Sequence, residues 1–200
     1  MGLVRAKIER RAPTHDRVAL ERNLRDGDES TRFASARALG DDRSAVDVLV
    51  DALEGEQTAS VREAIVTSLA RIATSEAARG LARFLGAEDV FLRNVVIEGL
   101  ARMPAAAAEL PALFDSEDPD VRIFASVVAG RIGGTAARDV LLARLEMEPH
   151  VNALAAAIEA LAQVGAPDTA AAVERCANRW PDEPYVSFAA QACCERLASR

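Results

Sequence analysis

Residues 118–145 read DPDVRIFASVVAGRIGGTAARDVLLARL. Pro119 fits the first turn of a helix, where its missing N–H costs nothing. The acidic residues beside it suit the positive end of a helix dipole. Gly133-Gly134 is a stop and turn signal. After it, ARDVLLARL sets Leu141 and Leu145 four residues apart, so both lie on one helix face. The stretch reads as helix, tight turn, helix.

Working outward, the same unit recurs. TRFASARALG from Thr31, VREAIVTSLARIA from Val61 and LRNVVIEGLARM from Leu92 align with VRIFASVVAGRIG from Val121. Arg32, Arg62, Arg93 and Arg122 fall in register at intervals of 30, 31 and 29 residues, and seven residues after each stands Leu39, Leu69, Leu100 or Ala129. A fifth copy starts at Leu154 with leucine in the arginine position, and a partial sixth at Tyr185. The second runs place Leu49 and Leu53, Leu81 and Leu85, Leu110 and Phe114, and Leu141 and Leu145 on one face each, with a weaker pair at Val173 and Ala177. Pro111 falls inside a second run and should interrupt it.

A single helix pair cannot bury both faces, whereas stacked pairs share one continuous core. The expected chain is one all-α domain over 1–200. Residues 1–27 form an N-terminal capping pair, Leu3 to Arg11 and Thr14 to Arg25. Repeats follow at 28–57, 58–87, 88–117, 118–148 and 149–180, with a closing helix over 181–200.

The segment Asp118 to Leu145, with its looser copies, resembles the short HEAT-like repeats of phycobilin lyases and of many bacterial adaptor proteins. The resemblance runs over roughly residues 29–197. It implies a right-handed α-α superhelix of the HEAT type, about five helix pairs plus terminal capping helices. Such families mostly bind proteins along a concave surface lined by the second helices. A minority bind nucleic acid, act on alkylated DNA bases or attach bilins. Repeat folds host unrelated functions, so the resemblance speaks for fold more than for activity.

Composition narrows the choice. Of 200 residues 50% are hydrophobic but only 4% aromatic, and alanine abounds. Alanine has the best helix propensity and lets helix backbones approach closely. The net charge is −7, and Lys7 is the only lysine. A general nucleic-acid binder displaces phosphate counterions with a basic surface, so no nucleic-acid partner is expected. No apolar run of membrane-spanning length occurs, so no membrane partner is expected. Residues Met1 to Ala12 lack the apolar core of a secretory signal. With Cys176, Cys193 and Cys194 as its three cysteines, the chain reads as reduced and cytoplasmic. His15 and His150 belong to no metal-ligand spacing, so neither metal nor cofactor is expected. Gly130 to Gly134 follows no strand and is not a phosphate loop.

The candidate site is a surface. If Leu49, Leu81, Leu110, Leu141 and Val173 face the core, the positions two before and two after point outward. These are Asp47 and Asp51, Arg79 and Arg83, Ala108 and Ala112, Asp139 and Ala143, and Ala171 and Arg175. A partner helix laid over the small central strip would find charges to set its register. The plainer reading pairs Asp47 with Arg79 and Asp51 with Arg83. The arginine column is either an anion ladder or a set of struts reaching acids and carbonyls in adjacent turns. Trp180 either covers the end of the core or anchors a partner. The expected function is a non-catalytic scaffold or adaptor for a protein partner. The resemblance also implies an alternative, a bilin-lyase-like chaperone of cofactor attachment. A DNA-binding repeat protein is disfavoured by mixed charge and few aromatics.

Overall fold

The computed structural model describes residues 16–199, which are helical with no strand among them. The helices are α1 (Arg17–Asp26), α2 (Glu29–Leu39), α3 (Val46–Gly55), α4 (Ala59–Ile72), α5 (Ser75–Ala82) and α6 (Val90–Ala101). They continue with α7 (Leu110–Phe114), α8 (Pro119–Ile132), α9 (Gly134–Met147), α10 (Val151–Val164), α11 (Ala170–Ala177) and α12 (Pro184–Ala198). The helix expected over Leu3 to Arg11 lies outside the described residues.

The link residues start these helices. The carboxylates of Asp28, Asp89 and Asp118 accept the free N–H groups of Thr31, Leu92 and Asp120, and the Thr74 hydroxyl accepts that of Ala77. Each satisfies a donor that the first helical turn leaves unpaired. Helix α8 ends where Gly133 takes φ +71° and Gly134 φ +80°. Glycine adopts that backbone region without steric cost.

The helices stack in two rows. Helix α2 packs on α4, α4 on α6, α6 on α8, α8 on α10 and α10 on α12. In the other row α1 touches α3, α3 packs on α5, and α9 packs on α7 and α11. Between α5 and α7 the chain forms a 3-10 helix over Pro104–Glu109, and α7 has five residues. Pro111 sits at the start of α7 and breaks this second run, as its missing donor requires.

One apolar spine fills the space between the rows. Leu49, Leu53, Leu81, Leu85, Leu110, Phe114, Leu141, Leu145 and Val173 are all buried in it. First-row residues Leu39, Leu69, Leu100 and Ala129 meet them from the opposite side. Trp180 packs half-buried against this core. Cys176 and Cys193 are buried, and Cys194 is partly so.

Candidate partner-binding faces

The arginine column is a series of struts. Arg32 donates from Nε to Glu56 Oε2 at 2.7 Å, from Nη1 to the Gly27 carbonyl at 3.0 Å and from Nη2 to Thr58 Oγ1 at 3.0 Å. Arg62 donates to Asp89 Oδ2 at 2.6 Å. Arg122 donates from Nε to Glu148 Oε2 at 2.9 Å and from Nη2 to Oε1 at 2.8 Å, with Nη1 on the carbonyls of Ser116 and Glu117. Glu148 also accepts from Arg144 Nε and the His150 N–H, each at 3.0 Å. The planar fork of arginine suits such multidentate joints. Each guanidinium thus ties its helix to the next interrepeat link.

Burial alone would push the Glu148 carboxyl up, but the bonds from Arg122, Arg144 and His150 outweigh it and hold the carboxyl below its ordinary value. Glu56 feels the same opposition, and Arg32 and Thr58 bring it to about 2. Arg93 departs from the column. It donates to the Ala87 carbonyl at 2.8 Å, its guanidinium lies 4.6 Å from the centroid of Phe124, and its Nε has no partner. A ring face takes the place of the carboxylate there.

All ten flanking positions of the second helices are exposed: Asp47, Asp51, Arg79, Arg83, Ala108, Ala112, Asp139, Ala143, Ala171 and Arg175. The expected pairs of Asp47 with Arg79 and Asp51 with Arg83 do not form. Arg79 instead reaches Glu109 at 3.4 Å, and Arg83 pairs with Glu54. The reason is register. The observed pairs span 30 and 29 residues, close to the repeat interval, whereas the expected ones span 32. Asp139 bonds its neighbour Arg138 at 3.2 Å. Among the described residues Asp47, Asp51 and Arg175 have no ion partner. A cavity of about 560 Å³ opens between α1 and α3, with Asp51 and Arg25 on its walls and Leu24, Val48 and Ala52 as apolar lining.

The first-row helices present a different surface. Phe33 on α2, Phe91 on α6, and Tyr185 and Phe188 on α12 are the exposed aromatic side chains among the described residues. Phe188 is 68% exposed, and the Tyr185 hydroxyl donates to Glu159 Oε1 at 2.8 Å. A groove of about 220 Å³ runs between α4 and α6, lined by Glu63, Val66, Phe91, Val95, Glu98 and Arg102 among others, with Arg102 exposed and without an ion partner among the described residues. At its base the helices nearly touch: a Cβ on Gly99 would stand 2.5 Å from Val66 Cγ1. Among the described residues no group of three or more His, Cys, Asp or Glu side chains is placed to hold a metal. No described helix is long and apolar enough to cross a membrane.

A family model for HEAT repeats matches residues 18–101 and 105–193. The chain belongs to the HEAT-repeat family. No curated protein matches its sequence. Among solved structures, this HEAT-repeat chain is similar to the complex of CpcE and CpcF of phycocyanin lyase from Nostoc sp. PCC7120, at 22% identity and a TM-score of 0.47, over 86% of this chain and 74% of that one. It is also similar to an archaeal HEAT-like repeats protein from Thermococcus onnurineus NA1, at 16% identity and a TM-score of 0.48, over 92% and 87%. Human deoxyhypusine hydroxylase is similar at 16% identity and a TM-score of 0.47, over 92% and 85%.

Sequence reasoning placed the candidate HEAT-repeat site on the second helices and passed over the exposed aromatics of the first. The signal was available. In α6 the buried residues include Leu92, Val96 and Leu100, and Phe91 stands one residue off that arc. In α12 Phe188 lies two residues after the buried Val186 and one before the buried Ala189.

Proposed function

We propose that this HEAT-repeat chain is a non-catalytic scaffold that holds a protein partner on the face formed by its second helices, taken as the concave side of the superhelix. The observation that carries the reading is the pair Asp47 and Asp51. Both are exposed carboxylates without an ion partner among the described residues, and Asp51 borders the cavity between α1 and α3. Residues with no structural bond to break are free to spend their charge on a partner. Farther along the face, Ala108 and Ala112 expose small side chains that admit a helix backbone closely, and Asp139 and Arg175 offer charges to fix its register. The Arg79–Glu109 and Arg83–Glu54 pairs keep this face ordered between the two ends.

The test is co-purification from the native cell with three proteins: wild type, Asp47→Arg/Asp51→Arg, and the surface control Asn152→Lys on α10. The reading expects one protein in stoichiometric amount with wild type and with the control, and its loss with the double variant. Equal recovery by all three removes the assignment to this face. An absorbance shift on mixing the purified protein with free bilin, without any co-purifying protein, replaces the scaffold with cofactor handling.

A further inference from the structure

The cavity between α1 and α3 lies where the second-helix face begins, and five charged side chains line it: Glu21, Arg25, Arg32, Asp51 and Glu56. Three of them are committed to structure. Glu21 accepts from Arg17 Nε at 2.6 Å, and Arg32 and Glu56 hold one another at 2.7 Å. Arg25 on α1 and Asp51 on α3 are exposed, with no ion partner among the described residues. The free charges of the cavity are therefore one cation and one anion, one on each wall. Leu24, Val48 and Ala52 supply the apolar lining. A helix dipole accounts for Arg25, which lies in the last turn of α1. It does not account for Asp51, the sixth of ten residues in α3, because the dipole acts only over the terminal turns.

We infer that this cavity anchors the protein partner, and that the anchor is an amphipathic helix with one acidic, one apolar and one basic residue on its docking face. The anchor rests on the second-helix reading and adds the partner's chemistry to it. The apolar side chain enters against Leu24, Val48 and Ala52, the acid meets Arg25 and the base meets Asp51. A segment with basic residues alone would set one of them against Arg25, and a segment with acids alone would set one against Asp51, so neither sign by itself matches the walls. The spacing follows from helix packing. Neighbouring helix axes stand about 8–10 Å apart, and a helix rising about 1.5 Å per residue covers that distance in about six or seven residues. Residues seven apart share a face, with the third and fourth between them. The partner helix therefore carries opposite charges at i and i+7 and a leucine-like residue at i+3 or i+4. A volume of about 560 Å³ lies within the range of binding pockets and admits the apolar side chain with the stems of its two charged neighbours.

The probes are three fluorescein-labelled, alanine-based helical peptides with leucine at i+3 and i+4, followed by anisotropy at physiological salt. At i and i+7 they carry glutamate and arginine, two glutamates, or two arginines. Wild type should prefer the mixed peptide to each like-charged one by about threefold to thirtyfold, the range of one charge contact made or opposed. Arg25→Glu should switch the preference to the two-arginine peptide, and Asp51→Arg to the two-glutamate peptide. Both side chains are exposed, and a gained preference itself shows that the variant is folded. Arg175→Glu, on α11 toward the other end of the same face, should leave the order of the peptides unchanged. If Arg175→Glu reorders the peptides while Arg25→Glu and Asp51→Arg do not, the partner face stands and the cavity is not its anchor. Wild type that binds all three alike overturns the proposal. So does wild type that binds none, as when residues 1–15 or a second copy of the chain fill the cavity. Co-purification with Asp47→Arg/Asp51→Arg decides the face separately, which keeps the two failures apart.

Discussion

The Arg122–Glu148 joint gives the sharpest test of how these repeats are held together. Both side chains are buried, at 7% and 1% exposure. Glu148 accepts from two nitrogens of Arg122, from Arg144 and from the His150 amide. Glu148→Gln keeps the shape but offers one acceptor oxygen to these donors. The amide that replaces the other oxygen would point its own donor at them. Removing one partner of a buried ion pair costs about 3–5 kcal/mol. The lower end applies here. Arg122 keeps the carbonyls of Ser116 and Glu117, and Arg144 has Asp115 within 4.0 Å. The expected cost is therefore about 3 kcal/mol. Asp89→Asn is the comparison. It removes the charge facing Arg62 but keeps the N-cap, and with Asp89 at 44% exposure it should cost clearly less than Glu148→Gln. Urea titration followed by far-UV circular dichroism gives the difference. Hydrogen exchange over α8 and α10 tells whether the loss is local, since repeat arrays open piecemeal. The Glu148 carboxyl lies below its ordinary value when folded, so its contribution is complete above the unfolded value of about 4.3 and is lost as pH falls through the folded one. The gap between wild type and Glu148→Gln should close on acidification. A cost below about 1 kcal/mol, or a gap indifferent to pH, would refute the assignment of this joint as a charged strut.

Leu69→Ala removes a fully buried side chain from the seam of α4 and should cost about 2–5 kcal/mol in the same titration, and a change near zero would mean that α4 faces the other way. Burial and the nearby Glu174 push the Cys194 thiol up, and Cys176 and Cys193 are buried. Native protein should therefore react with a disulfide reagent at neutral pH more slowly than free cysteine, with three thiols appearing in urea, and a fast native thiol would contradict the packing of α12 on α11.

The spine was legible because its code is short-range. Leucines four apart after each turn signal mark one helix face whatever the neighbours do, and Leu49, Leu53, Leu81, Leu85, Leu141 and Leu145 are buried. Pro111 was legible for the same reason, since a missing donor breaks a helix in any context. The arginine column revealed a register, but its partners depended on where the links fold back. The ion pairs of the second row were not legible. A guess from helix faces chose partners 32 residues apart, while adjacent helices bring together residues 29 and 30 apart. The aromatics of the first row escaped because large apolar residues are assigned to the core by default. That rule runs one way only, since much folded surface is apolar too.

The two rows differ in what their charges are doing, and this separates a structural surface from an available one. Where a cation sits inside the N-terminal half of a first-row helix, it is bound into a link or onto a ring. On the second row Arg79 and Arg83 are paired across the stack, while Asp47 and Asp51 stand alone near the α1 end. Both rows use arginine to hold the repeats together, and both leave exposed charges of either sign without an ion partner among the described residues, Glu63 and Arg102 on the first and Asp47, Asp51 and Arg175 on the second. Arginine suits this role because its fork donates to several acceptors at once, and a carboxylate such as Glu148 answers it by accepting from several donors. The column arginines Arg32, Arg62 and Arg122 are thus joints between repeats, while carboxylates and arginines alike remain on the free surface.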